Sequence, residues 1–154
     1  MLTLRLARND GGWVGLIATG MMTLTVVIHF FGIVALLRLL SINWQHVAKL
    51  HTNIRHMLML IMAVLGIVLL HTLEIWVYAL LYLAVGALSD FEQALYFSTV
   101  CFTTLGFGDI VLGPSFRIVS AIEAANGLIL FGWTTAFLIS LMGKLRALEH
   151  DWLE

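Results

Sequence analysis

Long apolar runs alternate with short polar stretches along this chain, and that alternation predicts its elements before any motif is considered. Residues 13–40, 57–88 and 116–142 are each long enough to cross a hydrocarbon core of about 30 Å, which takes about 20 helical residues. The first run holds only His29 and the near-terminal Arg38 as ionisable groups. A secretory leader would have an apolar region of only about 7–15 residues, so the run is read as a span. Before it, residues 1–12 carry Arg5, Arg8 and Asp10 and are expected to form an interfacial lead-in. No Lys or Arg falls between Trp13 and Leu37, whereas a voltage sensor needs several basic residues along a helix inside the field. The first span is therefore expected to be a scaffold.

Between the first two runs, residues 41–56 are polar, yet Trp44, Val47, Leu50 and Ile54 recur at helical spacing. An amphipathic helix lying at the membrane surface is expected there, with Trp44 at the interface. His46, His51 and His56 line the same stretch, as ordinary surface histidines or as pH sensors. The second run is broken near its middle by His71, Glu74 and Tyr78, which share one helical face. His29 lies at comparable depth in the antiparallel first span. Ionisable groups there are expensive and face protein. Two readings stay open for His29, His71 and Glu74: a satisfied polar cluster locking the spans in register, or a pH-responsive gating element.

The third polar stretch carries the chemistry. Ser89, Asp90, Phe91 and Glu92 have the capping-box pattern, so a helix is expected over 90–102, with room for only three to four turns. After it come Thr103, Thr104, Leu105, Gly106, Phe107, Gly108 and Asp109, at the depth of a membrane interior. Irregular backbone is tolerated there only where protein buries it or water adjoins it. Glycine takes positive φ without steric cost, so Leu105-Gly106-Phe107-Gly108 lets backbone handedness alternate and turns successive carbonyls to one side. Gly113 and Pro114 end the loop before the last run.

This insert resembles the selectivity filter of the potassium channel family, whose T-V-G-Y-G is matched by Thr104, Leu105, Gly106, Phe107 and Gly108, with Asp109 in place of the family's following acid. The resemblance covers about residues 57–142. It implies a pore domain with outer helix 57–88, pore helix 90–102, filter 104–109 and inner helix 116–142. It also implies potassium held by the carbonyls of Thr104, Leu105, Gly106 and Phe107, with Asp109 concentrating cations at the outer mouth. Gly127 stands in the place of the hinge glycine, and Leu128, Phe131 and Thr135 at cavity positions. The chain departs from the family twice. Phe107 replaces the filter tyrosine, so Phe97 and Phe107 are expected to pack together without a hydrogen bond. Val100 stands where some members have a glutamate paired with the acid behind the filter. Glu123 is then either a substitute partner for Asp109 or a group that caps or is hydrated at the outer water boundary. Either Gly127 serves as that hinge, or Gly127 and Gly132 serve close helix packing.

Composition sharpens the picture. The 154 residues are 61% hydrophobic and 11% charged, far from the roughly 25% charged of soluble domains. The expected fold is an all-α integral membrane protein, three transmembrane helices plus a re-entrant pore helix and filter loop. A net charge of −1 leaves no basic stripe for nucleic acid. Cys101 is the single cysteine, expected to pack, and no nucleophile or transition-metal constellation is found, so no enzyme and no cofactor beyond filter potassium is expected. One loop per chain against four per filter implies a homotetramer in lipid. Residues 143–154 are too short to carry a ligand-sensing domain. The filter's outward direction places the N-terminus outside and the C-terminus in the cytoplasm of a cell's plasma (inner) membrane. Arg38, Lys49, Arg55, Lys144 and Arg146 then lie inside, against Arg5, Arg8 and Arg117 outside. Two rivals remain: a non-selective sodium and potassium channel, and a non-conducting assembly subunit.

Overall fold

Four helices follow one another: α1 Leu2–Val47, α2 Thr52–Ala84, α3 Phe91–Phe102 and α4 Arg117–His150. The computed structural model describes residues 2–47 and 51–150, with side chains over 12–43 and 51–145. Three of the helices contain stretches long and apolar enough to cross a membrane: Gly12–Asn43, Thr52–Ala84 and Arg117–Leu145. Phe31, Leu65 and Leu69 are among the large apolar side chains left exposed on them. Such a continuous surface is a liability in water and ordinary against lipid.

The separate surface helix expected over 41–56 does not form among the described residues. Its first part, through Val47, continues α1 without a break, and Thr52 to His56 open α2. Residues 48–50, with Lys49 and Leu50, lie outside the described residues, as do the side chains of Trp44, His46 and Val47. The same continuity absorbs the lead-in, since α1 is helical from Leu2. Local propensity and unbroken backbone pairing carry a helix past its apolar stretch when no glycine–proline punctuation stops it.

α2 ends at Ala84, four residues before the end of its apolar run. Gly86 adopts φ +68°, and the Ala87 and Leu88 N–H groups donate back to the Tyr82 carbonyl. This left-handed cap closes the helix and satisfies its last carbonyls. α1 and α2 pack by mutual insertion: the Leu70 side chain fills the space a Cβ on Gly32 would need, and Leu36 does the same at Gly66. Small residues that admit a neighbour's side chain are how helices approach in lipid, where no hydrophobic force pulls them together.

α3 is 12 residues, about 18 Å at 1.5 Å per residue, so it spans little more than half a hydrocarbon core. Its cap is Asp90, not Ser89: the Asp90 side chain accepts from the Gln93 N–H at 3.1 Å. Asp90 itself takes the extended backbone that a cap requires, with φ −119° and ψ 139°, which displaces the expected box by one residue. Glu92 lies in the first turn, where the helix dipole favours an acid. α3 is held between α2 and α4, with Tyr82, Phe97, Phe102 and Leu130 in the core around it. A second, smaller core of Leu36, Leu40, Met59, Ala63 and Ile67 joins α1 to α2.

Candidate functional site

The backbone after α3 alternates in handedness. Thr104, Gly106 and Gly108 have φ of +61°, +58° and +78°, while Leu105 and Phe107 between them stay negative. The two glycines take this at no steric cost; Thr104 pays about 1–2 kcal/mol as an L residue in left-handed space. The N–H groups of this strip turn back onto the end of α3. Thr104 N–H donates to the Cys101 carbonyl at 2.9 Å, and Leu105 and Gly106 N–H both reach the Val100 carbonyl, at 3.0 and 3.2 Å. Among the described residues no donor reaches the carbonyl oxygens of Thr104, Leu105, Gly106, Phe107 or Gly108. Each is an acceptor left for something outside the chain, in a segment exposed along its whole length. α3 ends at Phe102, directly before the strip, so the negative pole of its dipole lies toward the same region.

Tyr96 and Asp109 clasp the strip at its far end. The Tyr96 hydroxyl donates to Asp109 Oδ2 at 2.7 Å, and the Ile110 N–H donates to Oδ1 at 3.1 Å. The Tyr96 bond holds the Asp109 carboxyl below its ordinary range and, reciprocally, pushes the Tyr96 phenol up. The first of the two adjacent α3 aromatics thus ties down the acid, a role the sequence reading had not given it. The second behaves differently from expectation too. Phe97 is buried edge-on against Tyr82, with ring centroids 5.3 Å apart, whereas Phe107 is 66% exposed. No Phe97–Phe107 stack forms within a chain, because Phe97 lies on the α2-facing side of α3 and the alternating backbone throws the Phe107 side chain outward.

Glu123 neither pairs with Asp109 nor meets water. It is fully buried on α4, with Oε2 at 2.5 Å from the Tyr82 hydroxyl of α2 and Oε1 at 2.5 Å from the Ser98 hydroxyl of α3. Ser98 also lies 2.9 Å from the Ile75 carbonyl. Val100 is buried, and its contribution to the strip is its backbone carbonyl, not its side chain.

The residues expected on the last span divide between two surroundings. Leu128 and Thr135 are exposed, and Phe131 is half-buried, its ring 4.5 Å from His71 and 5.7 Å from Phe102. Gly127 is buried, and a Cβ built there overlaps the Phe102 carbonyl at the end of α3. Close approach of α4 to α3 therefore requires this glycine. Gly132 has open space around it.

His29, His71 and Glu74 do come together, from α1 and α2. His29 Nδ1 lies 2.9 Å from Glu74 Oε1 and His71 Nδ1 2.8 Å from Oε2, all three side chains buried. His71 Nε2 reaches the Thr134 hydroxyl of α4 at 3.0 Å, and that hydroxyl donates to the Leu130 carbonyl at 2.8 Å. Three helices are thus tied at one depth. The nitrogens and a carboxylate oxygen all lie within 4.8 Å of one another, so the donor set suits a borderline metal. The 2.8 and 2.9 Å separations are nonetheless those of hydrogen bonds, and the chain they form leaves one buried ring nitrogen, His29 Nε2, without a partner. Beside it, the Asn126 amide donates to Thr25 Oγ1 at 2.6 Å and to the Tyr78 hydroxyl at 3.2 Å, joining α4 to α1 and α2 again. His51 is exposed at the start of α2 and offers no side-chain cap.

A family model described as ion channel matches residues 58–144, more than half of the chain. No curated protein and no solved structure matches it.

Proposed function

The chain belongs to the ion channel family, in its two-span potassium-channel-pore type, and we propose from this that four copies assemble around one axis and conduct potassium passively. It is a multi-pass membrane protein with a channel's pore domain. Potassium selectivity, fourfold assembly and direction in the membrane are our reading. The observation that carries it is the alternating strip Thr104, Leu105, Gly106, Phe107 and Gly108, whose N–H groups are spent on α3 and whose carbonyls are not spent at all. Rings of such carbonyls replace the hydration shell of an alkali cation, and one chain supplies one strip of the ring. Asp109, exposed and held as an anion by Tyr96, concentrates cations at the mouth, and Leu128 and Thr135 line the cavity on the other side. The 66% exposure of Phe107 in a single chain fits the same assembly, since a neighbouring copy is what remains to cover it. No catalytic step is assigned, and no cofactor other than potassium. The filter faces outward in a cell's plasma membrane, with the N-terminus outside and the C-terminus inside, in keeping with the distribution of Lys and Arg.

Liposomes containing the purified protein test this. A potassium gradient should drive flux and a matched sodium gradient should not. Equal flux of both ions would replace the reading with a non-selective channel, in which Phe107 leaves the strip loose. No flux of either ion would replace it with a non-conducting assembly subunit.

A further inference from the structure

Glu123, Ser98, Tyr82 and the Ile75 carbonyl form a chain whose hydrogens can be counted. Three contacts hold it: Tyr82 hydroxyl to Glu123 Oε2, Ser98 hydroxyl to Glu123 Oε1, and Ser98 hydroxyl to the Ile75 carbonyl. Each contact needs one hydrogen. Tyr82 has one, Ser98 has one, and the Ile75 carbonyl has none to give. Tyr82 donates to Oε2, and the Ser98 hydrogen goes to the carbonyl that can only accept. The hydrogen between Oε1 and Ser98 must then sit on Glu123. We propose that Glu123 is held as a neutral carboxylic acid and is a positioning residue for the filter, donating to α3 through Ser98 while accepting from α2 through Tyr82. The proposal rests on the conduction reading above for its effect on ions, though not for the protonated state itself.

The surroundings support the neutral form. Glu123, Ser98 and Tyr82 are each fully buried, and an unpaired carboxylate at such depth is expensive. The side chains that bond to Glu123 are the hydroxyls of Tyr82 and Ser98, and neither carries a positive charge to offset one on the carboxylate. The titratable groups facing it are Tyr82 and Tyr78 from α2 and Cys101 from α3, all neutral in their ordinary forms. α1 brings Thr25, bonded to Asn126 one turn along α4, and His29, which is taken by Glu74. Asp109, in the filter loop, is taken by Tyr96.

The position explains why this matters for ions. Ser98 lies two residues before Val100, whose carbonyl receives the Leu105 and Gly106 N–H groups. The acid therefore fixes the height of the helix end from which the strip hangs. Removing the Glu123 hydrogen puts two acceptors face to face at Ser98 and a bare charge in the core, so α3 and the strip must shift. Selectivity then holds while Glu123 keeps its proton and fails as pH rises through its ionisation.

The test compares wild type with Glu123→Gln and Glu123→Ala in liposomes, reading the ratio of potassium to sodium flux as pH is stepped from mildly acidic to alkaline. Glutamine supplies an amide N–H toward Ser98 and a carbonyl toward Tyr82, keeping all three bonds without a removable proton. Wild type should lose selectivity toward alkaline pH, Glu123→Gln should stay selective throughout, and Glu123→Ala should be unselective or silent at every pH. Because Glu123→Gln retains Tyr78, Tyr82 and Cys101, a flat profile in it assigns the transition to Glu123. Infrared spectra of the same samples give an independent readout: a carboxylic-acid C=O band in wild type that is missing in Glu123→Gln. If Glu123→Ala fails to fold, Glu123→Gln and the infrared band carry the test. A Glu123→Gln channel as defective as Glu123→Ala, or absence of the band, overturns the proposal. A wild type that passes no ion removes the channel reading and leaves the band to decide the protonated state.

Discussion

Thr104 holds a β-branched side chain at φ +61°, a region that costs an L residue about 1–2 kcal/mol and is filled here between two residues of ordinary handedness. That strain, repeated without cost at Gly106 and Gly108, is what frees a run of carbonyls. Replacing Gly106 with Ala should therefore reduce potassium flux strongly while the protein still assembles, because the added Cβ meets open space and only the backbone objects. Flux and native mass on the same preparation check this. At Asp109 the physics is electrostatic. The Tyr96 bond lowers its titration, so the anion's contribution is present above the ordinary carboxylate range and is lost as pH falls through the depressed value. In Tyr96→Phe that loss should begin at higher pH, seen as an earlier fall of flux on acidification. The sequence made the glycine alternation and the acid that follows it legible, since both follow from residue type. It did not reveal the Tyr96–Asp109 bond, because the end of α3 and the loop after it, across a separation of 13 residues, decide whether the two side chains meet.

Between elements, glycine acts as an absence. Gly127 lets α4 lie against the Phe102 carbonyl, and Gly32 and Gly66 let α1 and α2 each receive a leucine from the other. Gly127→Ala should destabilise the protein by about 1–3 kcal/mol, the usual cost of overpacking, because the obstructing atom is backbone and cannot rotate aside. Thermal unfolding in detergent measures it; an unchanged midpoint with altered opening would instead favour a hinge role. The sequence pattern located all three long apolar helices and the short α3, since lengths near 20 residues and a proline–glycine turn are local features. It misplaced their ends, because α1 passes the apolar boundary and α2 stops at the left-handed cap of Gly86.

At the scale of the whole chain, the His29–Glu74–His71–Thr134 chain ties α1 to the two-span unit. Elsewhere that span is held by side-chain insertion and by the Thr25–Asn126 hydrogen bond. Glu74→Leu leaves a nitrogen of each histidine without a partner in the core, at about 1–3 kcal/mol for each buried group. That variant should lose α1 packing first, read as protease sensitivity near the start of α2 well before global unfolding. Assembly is the other property of this scale. Native mass spectrometry from detergent should give a particle of four 17.1 kDa chains, and a monomer or dimer would remove the shared carbonyl ring.

Residue type and spacing alone determined that this is a helical membrane protein with an alternating, glycine-bearing loop between two spans, because hydropathy, helix length and the steric freedom of glycine act locally along the chain. Which buried groups meet was decided only by the tertiary structure. Glu123 went to Ser98 and Tyr82 instead of Asp109, and Phe97 to Tyr82 instead of Phe107. A hydrogen bond or ring contact is won by whichever partner the packing brings within about 3 Å or 6 Å, and spacing in sequence does not encode that competition.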